Sequence, residues 1–179
     1  MLQIVVPSVE LFDEDTGMFS MTNETVLKLE HSLVSISKWE SVWHKPFLTN
    51  DKKTTEESRD YIRCMTINQN VKPEIYLALT SENYSDINKY IETDQTATWF
   101  SNTNTVPSRE IFTSELIYYF MVAYNIPWEA QKWHLSRLLT LIRICQIKNE
   151  PPKKMTKNQI LARNRALNVA RRAKFGSKG

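Results

Sequence analysis

The stretch that decides the fold spans residues 29–43 and reads LEHSLVSISKWESVW. Its large apolar side chains recur at steps of three and four residues, at Leu29, Leu33, Ile36, Trp39 and Trp43. Steps of that size place side chains on one side of an α-helix, so the sequence predicts an amphipathic helix over residues 30–45. Pro46 is expected to end it, because proline cannot continue a helix. The two tryptophans are expected to anchor the core, with partner contact as the alternative.

Short apolar runs separated by turn-forming residues precede this helix. Residues 2–6, 9–13 and 17–29 are expected to form strands. The sequence therefore predicts a small β-element over residues 1–29 that packs on the rest of the chain.

Residues 30–150 are predicted to form a helical body. Weaker helical patterns begin near Thr54, Pro73 and Ser85. Residues 93–108 are rich in Thr, Asn and Ser and are expected to form a surface connection held down by Trp99 and Phe100. The predicted fold class is α+β and mainly α: a β-element, a helical bundle and a basic helical tail.

The two most apolar helices are predicted at residues 108–125 and 127–148 and have more apolar surface than one core contact needs. The first is apolar around its whole circumference. On the second, a projection at about 100° per residue separates two apolar faces. One face contains Trp128, Leu135, Leu138, Leu139, Ile142 and Cys145, and the other contains Trp133, Ile144 and Ile147. We predict that a partner protein binds the apolar residues Trp133, Ile144, Ile147, Tyr118 and Tyr119.

Charge separates the C-terminal tail, residues 151–179, from the rest of the chain. The first 150 residues include 20 acidic and 14 basic residues, whereas the tail has nine basic residues and no acidic one. The tail is predicted to form a helix after Thr156 that is marginal alone and becomes ordered mainly on contact. Its predicted partner-binding residues are Lys153, Lys154, Lys157, Arg163, Arg165, Arg171, Arg172 and Lys174.

Composition argues against several classes of function. With only three glycines, the chain has no glycine-rich loop for a nucleotide. It has no recognisable nucleophile or metalloprotease pattern, so we expect a non-enzymatic protein without a cofactor. His134 and Cys145 lie eleven residues apart on one side of the predicted helix, but core packing is the expected role of both.

Two widely spaced cysteines and the lack of a cationic leader favour a reducing compartment, the cytoplasm. The longest apolar stretch, residues 116–128, is shorter than the roughly 20 residues that a membrane span needs. We therefore expect no membrane contact.

Several segments together resemble the tail assembly chaperones of long-tailed, siphovirus-like bacteriophages. They are residues 29–40 with 43–47, residues 60–66, residues 131–135 with 138–143, and the ending at 151–155 with 163–168. The resemblance implies a helical protein of the host cytoplasm that binds the tape-measure protein and helps to recruit tail-tube subunits. A homo-oligomer is compatible with it.

Two other classes stay open at this stage. One is a virion structural or head-to-tail joining protein, and the other is a nucleic-acid-binding protein acting through the basic tail. Nucleic acid is the less favoured partner, because Phe175 is the single aromatic residue of the tail and the acidic remainder of the chain repels a polyanion.

Overall fold

The computed structural model of the protein describes residues 1–13, 17–49, 51–100, 111–149 and 156–176. The chain divides into two units, Met1–Cys145 and Gln146–Gly179. In chain order the elements are β1 (Leu2–Val6), β2 (Glu10–Asp13), β3 (Met18–Met21), β4 (Thr25–Leu29), α1 (Leu33–Trp43), α2 (Thr55–Met65), a 3₁₀ turn (Pro73–Tyr76), α3 (Ser81–Glu92), α4 (Ser114–Ala123), a second 3₁₀ turn (Trp128–Lys132), α5 (Leu135–Asn149) and α6 (Lys157–Phe175). The predicted class, α+β and mainly α, is confirmed.

The N-terminal β-element consists of two antiparallel pairs. β1 pairs with β4, and β2 pairs with β3. Alternate residues of β1 and β4 face the core, so that Ile4, Val6, Leu27 and Leu29 are buried. The single strand predicted over residues 17–29 is in fact two strands, β3 and β4, which are separated at the buried Thr22. The Thr22 hydroxyl accepts from the Val9 N–H at 3.0 Å and donates to the Val9 carbonyl at 3.0 Å.

Helix α1 is the centre of the first unit and begins three residues later than predicted. Leu29 belongs to β4, and the Glu30 N–H donates to the Met65 carbonyl at 3.0 Å, which keeps this residue out of the helix. Ser32 is the N-cap. The helix ends at His44, whose left-handed conformation (φ 51°) lets its N–H donate to the Glu40 carbonyl at 2.9 Å.

The face of α1 predicted to be apolar is buried. Leu33, Ile36 and Trp39 are fully enclosed, and α1 packs against α2, α4 and the 3₁₀ turn at 128–132. The Trp39 indole N–H donates to the Glu57 carbonyl at 2.9 Å, and the ring stacks on Trp43 with centroids 6.1 Å apart. The core role predicted for Trp39 is confirmed, while Trp43 is only half-buried.

Glu40 is a buried carboxylate on α1 that joins two distant parts of the chain. One oxygen, Oε1, accepts the Phe47 N–H at 2.7 Å, and the other, Oε2, accepts the Ser114 N–H at 2.8 Å. The first bond orders the turn after α1. The second bond satisfies one of the N–H groups that a helix leaves unpaired at its N-terminus, here that of α4.

The bounds predicted for the two apolar helices were wrong in part. α4 begins at Ser114, after the Thr113 cap, and residues 108–110 lie outside the described part of the chain. The predicted helix over residues 127–148 is broken into a 3₁₀ turn and α5. The break occurs because His134 bridges to Ser32 and the Leu135 N–H donates to the His31 carbonyl at 2.8 Å, so tertiary hydrogen bonds replace helical ones.

The second unit contains α6, which confirms the helix predicted after Thr156. Thr156 and Gln159 form a capping box at its start, and Gly176 (φ 60°) ends it in the left-handed conformation. All residues from Thr156 to Gly176 are exposed.

Replacing Glu40 by alanine is predicted to lower the free energy of unfolding by about 3 kcal/mol, because two buried N–H groups lose a charged acceptor. Glu40→Gln should cost less, since its amide oxygen retains one of the two bonds. Urea unfolding followed by circular dichroism measures both. Glu56→Ala on exposed α2 surface is the control. Equal losses for Glu40→Ala and Glu56→Ala would contradict the bridging role.

Candidate protein-binding surface

An open groove runs beside α5 and contains two of the predicted partner-binding residues. Trp133 and Ile144 line it together with Arg137 and Leu141, in a volume of about 380 Å³. The extended residues 95–98 form its opposite wall. We call it the Trp133 groove. Its lining combines the apolar side chains of Trp133, Leu141 and Ile144 with polar ones from Gln95, Thr96, Thr98, Arg137 and Thr140, so it offers a partner an apolar contact within a partly polar surface.

The extended segment over residues 95–100, here called the strap, is held by a short relay of hydrogen bonds. The His134 Nε2–H donates to the Tyr90 carbonyl at 3.2 Å, and its Nδ1 accepts from the Ser136 hydroxyl at 2.9 Å. The Ser136 oxygen in turn accepts the Gln95 N–H at 3.1 Å. The neutral form of His134 therefore orients the group that fastens the strap to α5.

A second groove lies on the other side of the strap. Phe100, Leu139 and Arg143 line it, and its volume is about 530 Å³. The Arg143 guanidinium lies 4.2 Å from the centre of the Phe100 ring, a cation–π contact that confirms the anchoring role of Phe100. The prediction that Trp99 also anchors this segment was wrong, because its side chain is 92% exposed.

Helix α4 presents aromatic rings on its outer sides. Phe120 contacts Phe112, Tyr119 and Tyr124, with ring centroids 5.7–6.5 Å apart. Tyr119 is 63% exposed. The core of the unit uses only the opposite side of the helix, where Ile117 and Met121 are buried.

The structure unites only some of the predicted apolar residues. Trp133 and Ile144 share one groove. Tyr118 instead contacts Trp128, with the two rings tilted and their centroids 5.8 Å apart, and its hydroxyl donates to the Gln131 side chain at 3.1 Å. Tyr119 belongs to the Phe120 cluster, and Ile147, half exposed, belongs to the second unit. The prediction that Trp128 lies on the core-facing side of the helix over residues 127–148 was wrong. Trp128 lies in the second 3₁₀ turn and is 55% exposed.

The basic residues predicted in the tail fall into two groups. Lys153 and Lys154 lie outside the described residues. The others are exposed on α6: Lys157, Arg163, Arg165, Arg171, Arg172 and Lys174.

An exposed apolar patch on the β2–β3 hairpin was missed. Phe12 lies opposite Phe19 in the register, their centroids are 4.9 Å apart, and both are more than half exposed. Met21, two residues along β3, is 79% exposed. Strand alternation places Phe19 and Met21 on one face, and a turn was predicted between residues 9–13 and 17–29, but the sequence analysis did not pair these two strands and so missed the patch.

The two buried histidines meet edge to face at the junction of β4, α1 and α5. The rings of His31 and His134 have centroids 5.2 Å apart, and His31 Nδ1 shares a hydrogen bond with the Tyr61 hydroxyl. Burial and the neighbouring His134 lower the pKa of His31 to about 4, and burial also lowers the pKa of His134. Among the described residues no group of three or more His, Cys, Asp or Glu side chains has the arrangement of a metal site.

Comparison of the chain with protein-family models, with curated proteins and with solved structures gave no match in any of the three. Within the described ranges, no helix is both long enough and apolar enough to cross a membrane.

The buried His31–His134 pair predicts a loss of stability in acid. The pKa of His31 is lower in the folded state than its ordinary value, so the unfolded state takes up the proton first. Neutral His31 makes its full contribution to the free energy of unfolding above about pH 6.5. That free energy falls by about 3 kcal/mol as the pH decreases to about 4. Urea unfolding between these pH values measures the slope. His31→Gln should flatten it, whereas His44→Asn, at an exposed helix end, should not. An identical dependence of the free energy of unfolding on pH in the original chain and both variants would contradict the role given to His31.

Proposed function

We propose that this chain is a non-enzymatic assembly chaperone that binds an apolar helical segment of a tape-measure protein during phage tail assembly. The supporting observation is the Trp133 groove, in which aromatic and aliphatic side chains stay accessible beside α5. The resemblance of the sequence to tail assembly chaperones supports the choice of partner. Such a chaperone acts in the host cytoplasm and helps tail-tube subunits to gather on the partner that it covers.

The groove suits a helix with an apolar stripe. Trp133 is 36% exposed, and the Arg137 guanidinium lies 5.0 Å from its ring centre, which holds the indole at the groove wall. Ile144, seven residues or about two turns after Arg137 on α5, is partly exposed and lines the same groove. Tryptophan and arginine are the residue types that most often dominate binding energy at protein interfaces.

A tape-measure protein presents long helical apolar stripes that would aggregate if left uncovered. A chaperone for it needs accessible apolar surface of its own and must release the partner as the tube forms. A shallow groove satisfies both needs, because it buries one or two side chains of the partner without enclosing them.

The double substitution Trp133→Ser with Ile144→Ser is predicted to abolish co-purification with a co-expressed tape-measure protein. The circular dichroism spectrum should stay unchanged, since neither side chain belongs to the buried core. Val42→Ser on α1 removes a side chain that is 55% exposed and does not line the groove, so it should leave binding intact. Undiminished co-purification of the double variant would remove the groove from the proposal.

Purified mature particles are expected to lack this protein, because a chaperone leaves as the tube polymerises. Mass spectrometry of particles and of the lysate from which they were made measures this. A stoichiometric amount in the particles would instead favour the virion structural or head-to-tail joining role.

A further inference from the structure

The β2–β3 hairpin has an exposed face that combines apolar side chains with a carboxylate. Alternate residues of a strand share a face, and the register places Glu10 opposite Met21 and Phe12 opposite Phe19. All four side chains are exposed, the three apolar ones by more than half. Residues 10–21 contain four acidic and no basic side chains. We call the surface of these four side chains the hairpin face.

Aromatic rings in an acidic segment suit arginine and lysine as partners. A guanidinium can pack flat on a ring and donate hydrogen bonds to a nearby carboxylate. The chain already uses ring–cation contacts elsewhere, since the Lys53 Nζ lies 4.3 Å from the centre of the Phe47 ring. Residues 10–21 supply no cation of their own for Phe12 or Phe19. The hairpin face therefore lacks, within its own segment, the type of residue that it suits best.

Cations are concentrated in the C-terminal tail, which the structure describes as α6. Residues 151–179 contain nine basic and no acidic side chains. Every residue from Thr156 to Gly176 is exposed. The hairpin and the tail thus have charges of opposite sign, and both surfaces are exposed in the chain as described.

Cationic and apolar side chains are mixed on one half of the α6 circumference. A projection at about 100° per residue places Ile160, Leu161, Leu167 and Phe175 on this half. Lys157 and Arg171 project between them, and Arg165 and Arg172 lie beside them, with Asn164 and Asn168 on the same half. The other half includes Ala162, Ala166, Ala170 and Ala173.

This mixture is the reason that the hairpin face complements α6. A purely apolar cover would bury Arg171 and Lys157 without partners, which is costly. Against the hairpin face, the cations meet aromatic rings and a carboxylate, while the apolar side chains of α6 meet Phe12, Phe19 and Met21.

Neither a second α6 nor a nucleic acid matches both components of this half. Two tails side by side would bring like charges together. Phosphate groups would pair with the cations, but Ile160, Leu161 and Leu167 would then lie against a polyanion without apolar cover.

We propose that α6 of one copy of the chain docks on the hairpin face of a second copy. Arginine side chains of α6 pack on the rings of Phe12 and Phe19 and pair with the acidic side chains of the hairpin. The contact is independent of the proposed function, because neither surface includes Trp133 or Ile144.

Sedimentation velocity of the full chain tests the proposal, at protein concentrations from ~1 to ~100 μM and at ~0.05 M and ~0.5 M NaCl. At low salt the chains should associate to at least twice the mass of one chain. The affinity should fall about tenfold at the higher salt concentration, because the contact includes exposed charges.

Two variants, each lacking one of the two surfaces, give the sharper test. Phe12→Ser with Phe19→Ser removes the rings, and Arg165→Glu with Arg172→Glu reverses two cations, so each variant alone should sediment as single chains. A mixture of the two should associate again, because one supplies an intact α6 and the other an intact hairpin face. Circular dichroism checks that both variants stay folded.

Ala162→Gln with Ala173→Gln is the matched control, since it changes the other half of α6. This variant should associate as the original chain does. Combining Glu10→Lys and Asp13→Lys with Arg165→Glu and Arg172→Glu in one chain exchanges charges between the two surfaces. That chain should regain association that the α6 reversal alone has lost, a result that a folding defect does not produce.

Three results would overturn the inference. Single chains of the original protein at every concentration would do so, including the case in which α6 docks on the hairpin of its own chain. A mixture of the two variants that stays as single chains would show that the hairpin face and α6 do not pair. Single chains that bind a labelled DNA duplex, with binding lost in Arg165→Glu with Arg172→Glu, would assign α6 to nucleic acid instead.

Discussion

The buried carboxylate of Glu40 is the constraint on which the arrangement of the first unit depends. A buried charge without partners is costly, so two N–H groups must be brought to it, that of Phe47 from the turn after α1 and that of Ser114 from the start of α4. One of these groups is at the start of α4. The hydrogen bond therefore determines where α4 begins against α1, and Ile117 and Met121 then fall on the side of α4 that is buried.

That placement explains why so much apolar surface stays accessible. Once one side of α4 covers α1, its remaining aromatic and aliphatic residues have no core left to enter, and Tyr119 and Val122 are more than half exposed. α5 is fastened at its first turn by the Leu135 to His31 hydrogen bond, and its buried positions are Leu135, Leu138 and Ile142. The rest of its surface is left to the strap and the two grooves. Exposed apolar area of this kind in a folded protein commonly marks an interaction surface.

Elements that depend on neighbouring residues could be predicted from the sequence. Elements that depend on hydrogen bonds between distant residues could not. Periodicity located α1, and the capping pattern at Thr156 located α6, because both signals lie within a few residues. The break at Trp133 and His134 could not be predicted, since it depends on Ser32 and His31, about a hundred residues away in the chain. For the same reason a helical projection placed Trp128 on a buried face. Trp133 and Ile144 do share a groove, although its second wall, the strap, was not predicted.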